Sequence, residues 1–363
     1  MDTISVLQQK LAAQNLDALL LAGATNIRYL SGYRGEEAWL LLTAKGEGYF
    51  ITDFRYLEQA ELEWQESGGT FPMHFLEQNS QKPLAAVLGG LFADLALRRV
   101  GFEGAQFLYD AYKNIKEKAG TTELVAVADL LVDLRSVKSE RELVHLRKAA
   151  QIADAAFTAL LTELRPGLTE RMVAARFEYL LYTYGAEGPA FNNIVASGKN
   201  GSLCHAIPSN KVLEEGEFIT FDFGAVWQGY HSDCTRTICL GQATRKQREL
   251  YDLVLQAQLA AEAALRPGIE AKAVDKIARD MITEAGYGAQ FGHGLGHGIG
   301  LDVHEGPSLT SSSPAILQTG QVVTVEPGIY IPGWGGLRIE DSLIITESGS
   351  EIITHCPKEL ICL

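Results

Sequence analysis

Four carboxylates recur as two matched pairs in the C-terminal half of this 363-residue sequence: Asp222 with Asp233, and Glu326 with Glu340. Each pair sits on two apolar, strand-like segments joined by a glycine-containing turn. The segments are Phe218 to Val226 and Tyr230 to Cys239, then Val322 to Tyr330 and Leu337 to Ile345. If Gln228-Gly229 forms the first turn, Asp233 lies opposite Gly224 and diagonal to Asp222, so both acids leave one face. Glu326 and Glu340 share a face if their longer Pro- and Gly-rich loop holds an odd number of residues. Four carboxylates converging among apolar strands cannot all ionise without cations. Two divalent ions about 3.5–4 Å apart require such converging, partly bridging acids. Any one of these acids could simply end a strand, bonded to a turn or an arginine. Four in matched pairs favour a metal site.

Nitrogen donors follow in one segment. Between Phe291 and Pro307, glycine stands at every second position over the first half, and His293, His297 and His304 fall within twelve residues. Such a segment is a poor helix and lets backbone and ligands approach closely. Other histidines read more blandly: His74, His145 and His355 as core or surface residues, and His231 as a neighbour of the site that does not ligate. Cys204 beside His205 is no nucleophile signal, because adjacency in sequence does not place a base against a thiol.

The elements that must position these groups fall into two regions. Residues 1–134 alternate strands (Asp17–Leu21, Trp39–Leu42, Gly48–Thr52, Arg99–Phe102) with helices (Val6–Ala13, Tyr56–Gln65, Pro83–Leu95), an α/β pattern. The join falls near Leu134–Lys138, and Ser139 with Glu142 forms a capping-box pattern for a helix opening residues 139–363. In that second region a long helix ends at Arg165-Pro166-Gly167, and another begins behind Thr169 and stops at Gly185. The same phrase returns at Arg266-Pro267-Gly268, with its second helix stopping at Gly286; both landmarks recur 101 residues on. This spacing implies a duplicated helix–helix–strands unit.

Bulk properties narrow the partners. A net charge of −14 disfavours phosphate backbones and anionic lipid, so neither nucleic acid nor a membrane surface is expected. No apolar run approaches the ~20 residues of a membrane span. The segment Met1–Asn15 reads as an amphipathic helix and not a signal peptide. Five cysteines without a Cys-x-x-Cys pair suit a reducing compartment, hence the cytoplasm.

Taken together, Phe221-Asp-Phe-Gly, Ser232-Asp-Cys-Thr-Arg-Thr237, Gly296-His-Gly-Ile-Gly-Leu301, His304-Glu-Gly-Pro307, Val325-Glu-Pro-Gly-Ile-Tyr330 and Gly336-Leu-Arg-Ile-Glu-Asp341 resemble the pita-bread metallopeptidases. Within them the chain looks like the Xaa-Pro branch, the proline dipeptidases and aminopeptidase P. Asn26-Ile-Arg-Tyr-Leu-Ser-Gly32 and Thr52-Asp-Phe-Arg-Tyr56 resemble that branch's creatinase-like N-terminal domain. The resemblance implies an α/β (α+β) chain with a pseudo-twofold catalytic domain. It implies Asp222, Asp233, His297, Glu326 and Glu340 as ligands of two divalent ions, with Asp233 and Glu340 bridging. His205, His293 and His304 would contact the substrate and the tetrahedral intermediate, Glu326 would relay a proton, and Tyr330 and Arg338 would position these groups. Manganese is the expected metal, with cobalt, zinc or iron as alternatives, and a homodimer is the expected assembly.

Relatives often have Asp where Asn192 stands, Pro where Cys204 stands and Arg where Ser308 stands. A neutral Ser308 favours an Xaa-Pro aminopeptidase over an Xaa-Pro dipeptidase, since a substrate's terminal carboxylate would lack that arginine. Ser308 and Lys199 are expected at the border of the substrate region. Three rivals fit less well: a methionine aminopeptidase lacks the extra N-terminal domain, a creatinase-type hydrolase lacks the ligands, and a non-catalytic binding module would not retain them.

Overall fold

The computed structural model describes residues 3–128 and 130–363, which divide into two compact units, Met1–Arg135 and Ser136–Leu363. The first unit contains helices α1 (Thr3–Ala13), α2 (Ala24–Ser31), α3 (Leu57–Ser67), α4 (Leu84–Asp94), α5 (Tyr109–Lys118) and α6 (Val132–Ser136). Its strands are β1 (Ala18–Leu21), β2 (Trp39–Thr43), β3 (Gly48–Thr52), β4 (Met73–Glu77), β5 (Arg99–Glu103) and β6 (Glu123–Val127). The described strands form one mixed sheet in the order β4-β3-β2-β1-β5-β6. β1 shows why both faces are covered. Leu19 and Leu21 pack with Leu7 and Leu11 of α1, while Ala18 and Leu20 pack with Val87, Leu88 and Phe92 of α4. A strand buried on both sides reads as a continuous apolar run, here Ala-Leu-Leu-Leu. The edge strands β4 (Met-His-Phe-Leu-Glu) and β6 (Glu-Leu-Val-Ala-Val) were not anticipated from the sequence, although β6 holds four consecutive apolar residues.

The second unit opens with α7 (Glu140–Leu161), held by the expected capping box: Ser139 Oγ accepts from the Glu142 amide, and the Glu142 carboxylate accepts from the Ser139 amide. α8 (Glu170–Thr183) begins behind Thr169, whose hydroxyl accepts from the Met172 amide. After the first set of strands come α9 (Arg245–Ala264) and α10 (Ala271–Glu284). Gly167 and Gly268 adopt φ of 92° and 82°, and Gly185 and Gly286 adopt 99° and 88°. All four lie in the left-handed region. Gly185 and Gly286 directly follow the C-caps of α8 and α10, whereas α7 and α9 already end at Leu161 and Ala264, so Gly167 and Gly268 lie in the turns beyond them. The duplication is therefore present in the backbone as well as in the sequence.

Each helix pair covers its own strands. In the first half these are β7 (Gly188–Pro189), β8 (Ile194–Ser197), β9 (Phe218–Phe223), β10 (Ala225–Trp227), β11 (Tyr230–His231) and β12 (Cys234–Cys239). In the second they are β13 (Gly296–Gly298), β14 (Glu305–Leu309), β15 (Val322–Val325), β16 (Gly328–Ile331), β17 (Gly335–Arg338), β18 (Asp341–Ile345) and β19 (Ser350–Ile352). Phe157 of α7 and Phe177 of α8 pack on Phe221 and Phe223 of β9. Tyr251 and Val254 of α9 and Ile282 of α10 share a core with Val323 and Leu343. Because strand side chains alternate, Asp222 between Phe221 and Phe223 faces away from the helices. This is the mixed α/β, pita-bread architecture expected from the sequence. Among the described residues, no helix is long and apolar enough to cross a membrane.

Candidate metal centre and substrate cleft

The first acid pair is set by a two-residue turn. Trp227 pairs with Tyr230, and Gln228 and Gly229 both have positive φ, 49° and 74°, as a type I′ hairpin requires. The same register continues to Phe223 opposite Cys234 and Asp222 opposite Thr235. Asp233 is therefore the diagonal neighbour of Asp222, as the proposed turn demanded. In the second half, Val325 pairs with Asp341 and Gly328 with Arg338, in one continuous register. Glu326 and Glu340 are then directly opposite, with thirteen residues between them, the odd number needed to share a face.

The two halves meet at these acids. Glu340 donates its backbone N–H to the Thr235 carbonyl (3.1 Å), and the Thr235 hydroxyl donates to Glu340 Oε2 (2.6 Å). Ligand atoms of Asp233, His297 and Glu340 all lie within 4.8 Å of one another. His297 Nε2 is also 3.4 Å from Glu326 Oε1 and 3.6 Å from Asp233 Oδ2. Its Nδ1 lies 3.0 Å from the Gly298 carbonyl, which can only accept, so Nδ1 holds the proton and Nε2 offers a lone pair to the acids. Asp222 stands somewhat apart from this group: Arg338 Nη2 donates to its Oδ2. β13 fits between its neighbours because Gly296 and Gly298 have no Cβ; one there would strike the Thr324 or Gly306 carbonyl.

Electrostatics fit a cation site. Burial, followed by the charge of neighbouring carboxylates, pushes Asp233 and Glu340 well above the ordinary range. Burial also lifts Glu326 to about 7, with Asp222 adding to the rise and Arg338 opposing it. Burial lowers His297 to about 4, which keeps its imidazole neutral. The oxygens Asp222 Oδ1 and Asp233 Oδ1 are buried without a hydrogen-bond partner. Four acids, two orphaned oxygens and a neutral imidazole lone pair together make a donor set that divalent cations satisfy.

A second chain of contacts borders this centre. Arg338 is buried and donates to the Thr235 hydroxyl, the Tyr330 hydroxyl and the Cys204 carbonyl. Tyr330 in turn donates to His293 Nε2 (3.0 Å), whose Nδ1 faces the Gly294 carbonyl (2.7 Å). The His304 ring lies 4.3 Å from that of His297, centroid to centroid. His205, His293, His297 and His304 all line a cleft of about 1220 Å³, which also contains Asp222, Asp233, Glu326, Arg338 and Glu340. Tyr330 is absent from that lining and reaches the cleft through Arg338 and His293. Ser308 borders the cleft, whereas Lys199 does not. His231 is outside too, with Nδ1 against the Gly300 carbonyl.

Sequence reasoning missed the hydroxyls of Thr235 and Thr324 on Glu340 and Glu326. Each lies two residues from an acid on the same strand face, Thr235 after Asp233 and Thr324 before Glu326, and that was the available signal. It also missed buried Arg236, which donates to the Glu340 carbonyl and to Asp341 Oδ1.

Residues 144–347 match metallopeptidase family M24, and residues 4–137 match the creatinase/prolidase N-terminal domain. The chain belongs to metallopeptidase family M24. Within that family it is 39% identical over 348 residues to the Xaa-Pro dipeptidase of Pyrococcus horikoshii, covering 96% of this chain and 95% of that one. Among solved M24 structures, an Xaa-Pro dipeptidase from Bacillus anthracis is 40% identical over 99% of both chains, with a TM-score of 0.94. An X-Pro aminopeptidase from Thermotoga maritima is 34% identical over 100% of both chains, with a TM-score of 0.90. As a member of M24 the chain is a metal-dependent peptidase, and divalent ions are its cofactor.

Proposed function

We propose that this M24 peptidase is an Xaa-Pro dipeptidase that holds two divalent ions, manganese being the expected pair, between Asp222, Asp233, His297, Glu326 and Glu340. The observation that carries the reading is the convergence of Asp233, His297 and Glu340 on the floor of a cleft, in a chain whose relatives include several Xaa-Pro dipeptidases. Ser308 alone favoured an aminopeptidase, but the weight of these relatives moves the reading to the dipeptidase. A homodimer in a reducing cytoplasm is the setting that goes with it.

When bound, divalent cations polarise the scissile carbonyl and acidify the attacking water. The chain's own groups do the rest. A carboxylate oxygen of Glu326 takes the proton of that water and delivers it to the proline nitrogen as the bond breaks. His205 and His304 donate hydrogen bonds to the substrate and to its developing negative oxygen. The Arg338–Tyr330–His293 chain fixes the His293 ring by leaving Nε2 as the acceptor of the Tyr330 hydroxyl. Proline in second position lacks an amide N–H, so the site needs no acceptor for one.

Chelation should abolish hydrolysis of Ala-Pro, and manganese or cobalt should restore it. Ala-Pro should be cleaved faster than Ala-Pro-Ala or a longer Ala-Pro peptide. Preference for the longer peptides would return the assignment to the aminopeptidase, and equal cleavage of Ala-Ala would refute proline specificity.

A further inference from the structure

One wall of the cleft is a face of α8: Arg171, Ala174, Ala175 and Glu178. Spacings of three, four and seven place these residues on one stripe, with Arg171 and Glu178 about 10 Å apart along the axis. The alanines between them leave room for a small ligand. The Arg171 end is fixed to the segment that follows His205. Its backbone N–H donates to the Ser209 carbonyl (3.0 Å), and the neighbouring Glu170 carboxylate accepts from both the Ser209 amide and its hydroxyl.

Charge distribution makes Arg171 distinctive. Glu178, Asp222, Asp233, Glu305, Glu326 and Glu340 all line the cleft, but bound divalent ions would neutralise Asp222, Asp233, Glu326 and Glu340, and Lys138 pairs with Glu305. An anionic ligand therefore needs only a free cationic side chain there. Two cations line it. Arg338 is committed to Asp222, Tyr330, Thr235 and the Cys204 carbonyl. The Arg171 guanidinium, by contrast, has no hydrogen bond or ion pair among the described residues. A cation in the first turn of a helix also works against the helix dipole, so α8 gains nothing from it. A dipeptide brings a carboxylate into this cleft one residue beyond the scissile bond, whereas a longer peptide or an amide does not.

We infer that Arg171 is the residue that pairs with the terminal carboxylate of an Xaa-Pro dipeptide, an inference that rests on the dipeptidase reading. The planar guanidinium meets a carboxylate through two parallel N–H···O bonds, a geometry that lysine does not reproduce. The neutral Ser308 is then no obstacle to dipeptide recognition, because the cation arrives from α8 instead of from the strand after His304.

The test compares kcat/KM for Ala-Pro and for Ala-Pro amide in the metal-loaded wild type and in Arg171→Ala and Arg171→Lys. The wild type should prefer the free carboxylate. Arg171→Ala should lower kcat/KM for Ala-Pro by roughly 10- to 100-fold, chiefly through KM. Its rate on the amide should stay within about twofold, an internal control for folding and metal loading. Arg171→Lys should fall between the two. An Arg171→Ala enzyme that keeps the wild-type dipeptide-to-amide ratio overturns the inference and leaves the dipeptidase reading intact, as does equal loss on both substrates. A wild type without preference for the free carboxylate refutes the dipeptidase reading itself, and shows it before any variant is made.

Discussion

In the first half of the catalytic unit, the Gly167 amide bonds the Leu213 carbonyl and the Glu170 amide bonds the Lys211 carbonyl. In the second half, the Gly268 amide bonds the Leu317 carbonyl and the Ala271 amide bonds the Ala315 carbonyl. The backbone plan is the same, but the side chains have parted. Glu170 collects donors from Ser197, Asn200 and Ser209, while Ala271 at the matching place can collect none. His293, His297 and His304 all belong to the second half, and the first contributes only His205 to the cleft. Even the acids differ: short aspartates sit diagonally on a tight hairpin, and longer glutamates sit directly opposite. Main-chain hydrogen bonds and left-handed glycines are what a duplicated fold must preserve. The side chains are free to divide the labour, with a clamped substrate wall in one half and imidazoles in the other.

If both halves hold the metals equally, removing the innermost acid of either should be equally damaging. Asp233→Ala and Glu340→Ala should each lower turnover by more than the ~10²–10³ typical of losing one transition-state donor. Both should also lower the metal content measured by elemental analysis. A Glu340→Ala protein that keeps two ions while Asp233→Ala loses them would show that the halves are not equivalent in holding the metals.

His304 tests the opposite side of the comparison, the imidazole chemistry concentrated in the second half. His304→Ala should keep its metal and lose roughly 10²–10³ in kcat, as a hydrogen-bond donor does. Metal depletion in that variant would make His304 a ligand.

Smaller effects should follow the hydroxyls that support the acids. Thr235→Val and Thr324→Val should each weaken metal affinity by about 10- to 100-fold, as supporting contacts do. Thr235 should matter more, because its bond to Glu340 is 2.6 Å and that of Thr324 to Glu326 is 3.3 Å. Titrating metal back into the apo-proteins gives the ranking, and a reversed order would put the tighter support in the second half.

What the sequence made legible follows the same division. Leu-Arg-Pro-Gly and its terminating glycines exposed the duplication, because φ above zero restricts the residue type. The acids were readable because a two-residue turn fixes register, and register fixes the face of every side chain. Contacts between the halves were not readable. Thr235 reaches Glu340 across 105 residues, and no local periodicity records such a pairing. Arg171 was passed over for a related reason: at the start of an amphipathic helix it reads as one more solvated charge, and only the fold places it on the cleft. Edge strand β4 was missed because His74 and Glu77 interrupt its apolar residues, whereas β6 carries the apolar run Leu124-Val-Ala-Val127, a legible signal that was overlooked.

The mildest expected effect concerns the clamp that only the first half possesses. Burial alone would raise the Glu170 carboxyl, but donors from Ser209 and Ser197 outweigh it and hold it below its ordinary value of 4.5. A carboxylate depressed in the folded state stabilises above its unfolded pKa, and that stability is lost as pH falls through the folded value. Glu170→Gln keeps the size and removes the charge, so it should destabilise the protein by about 1–3 kcal/mol at pH 7. The gap in thermal midpoint between wild type and variant should hold down to about pH 5 and narrow below 4.5. Turnover should change little, because Glu170 supports the wall behind His205 without lining the cleft. The matching change in the second half, Ala271→Ser, adds no partner to a clamp that is not there and should leave the pH profile of stability unmoved. A gap for Glu170→Gln that stays constant down to pH 3 would mean that the clamp works through shape and not charge, and the two halves would then differ less than their side chains suggest.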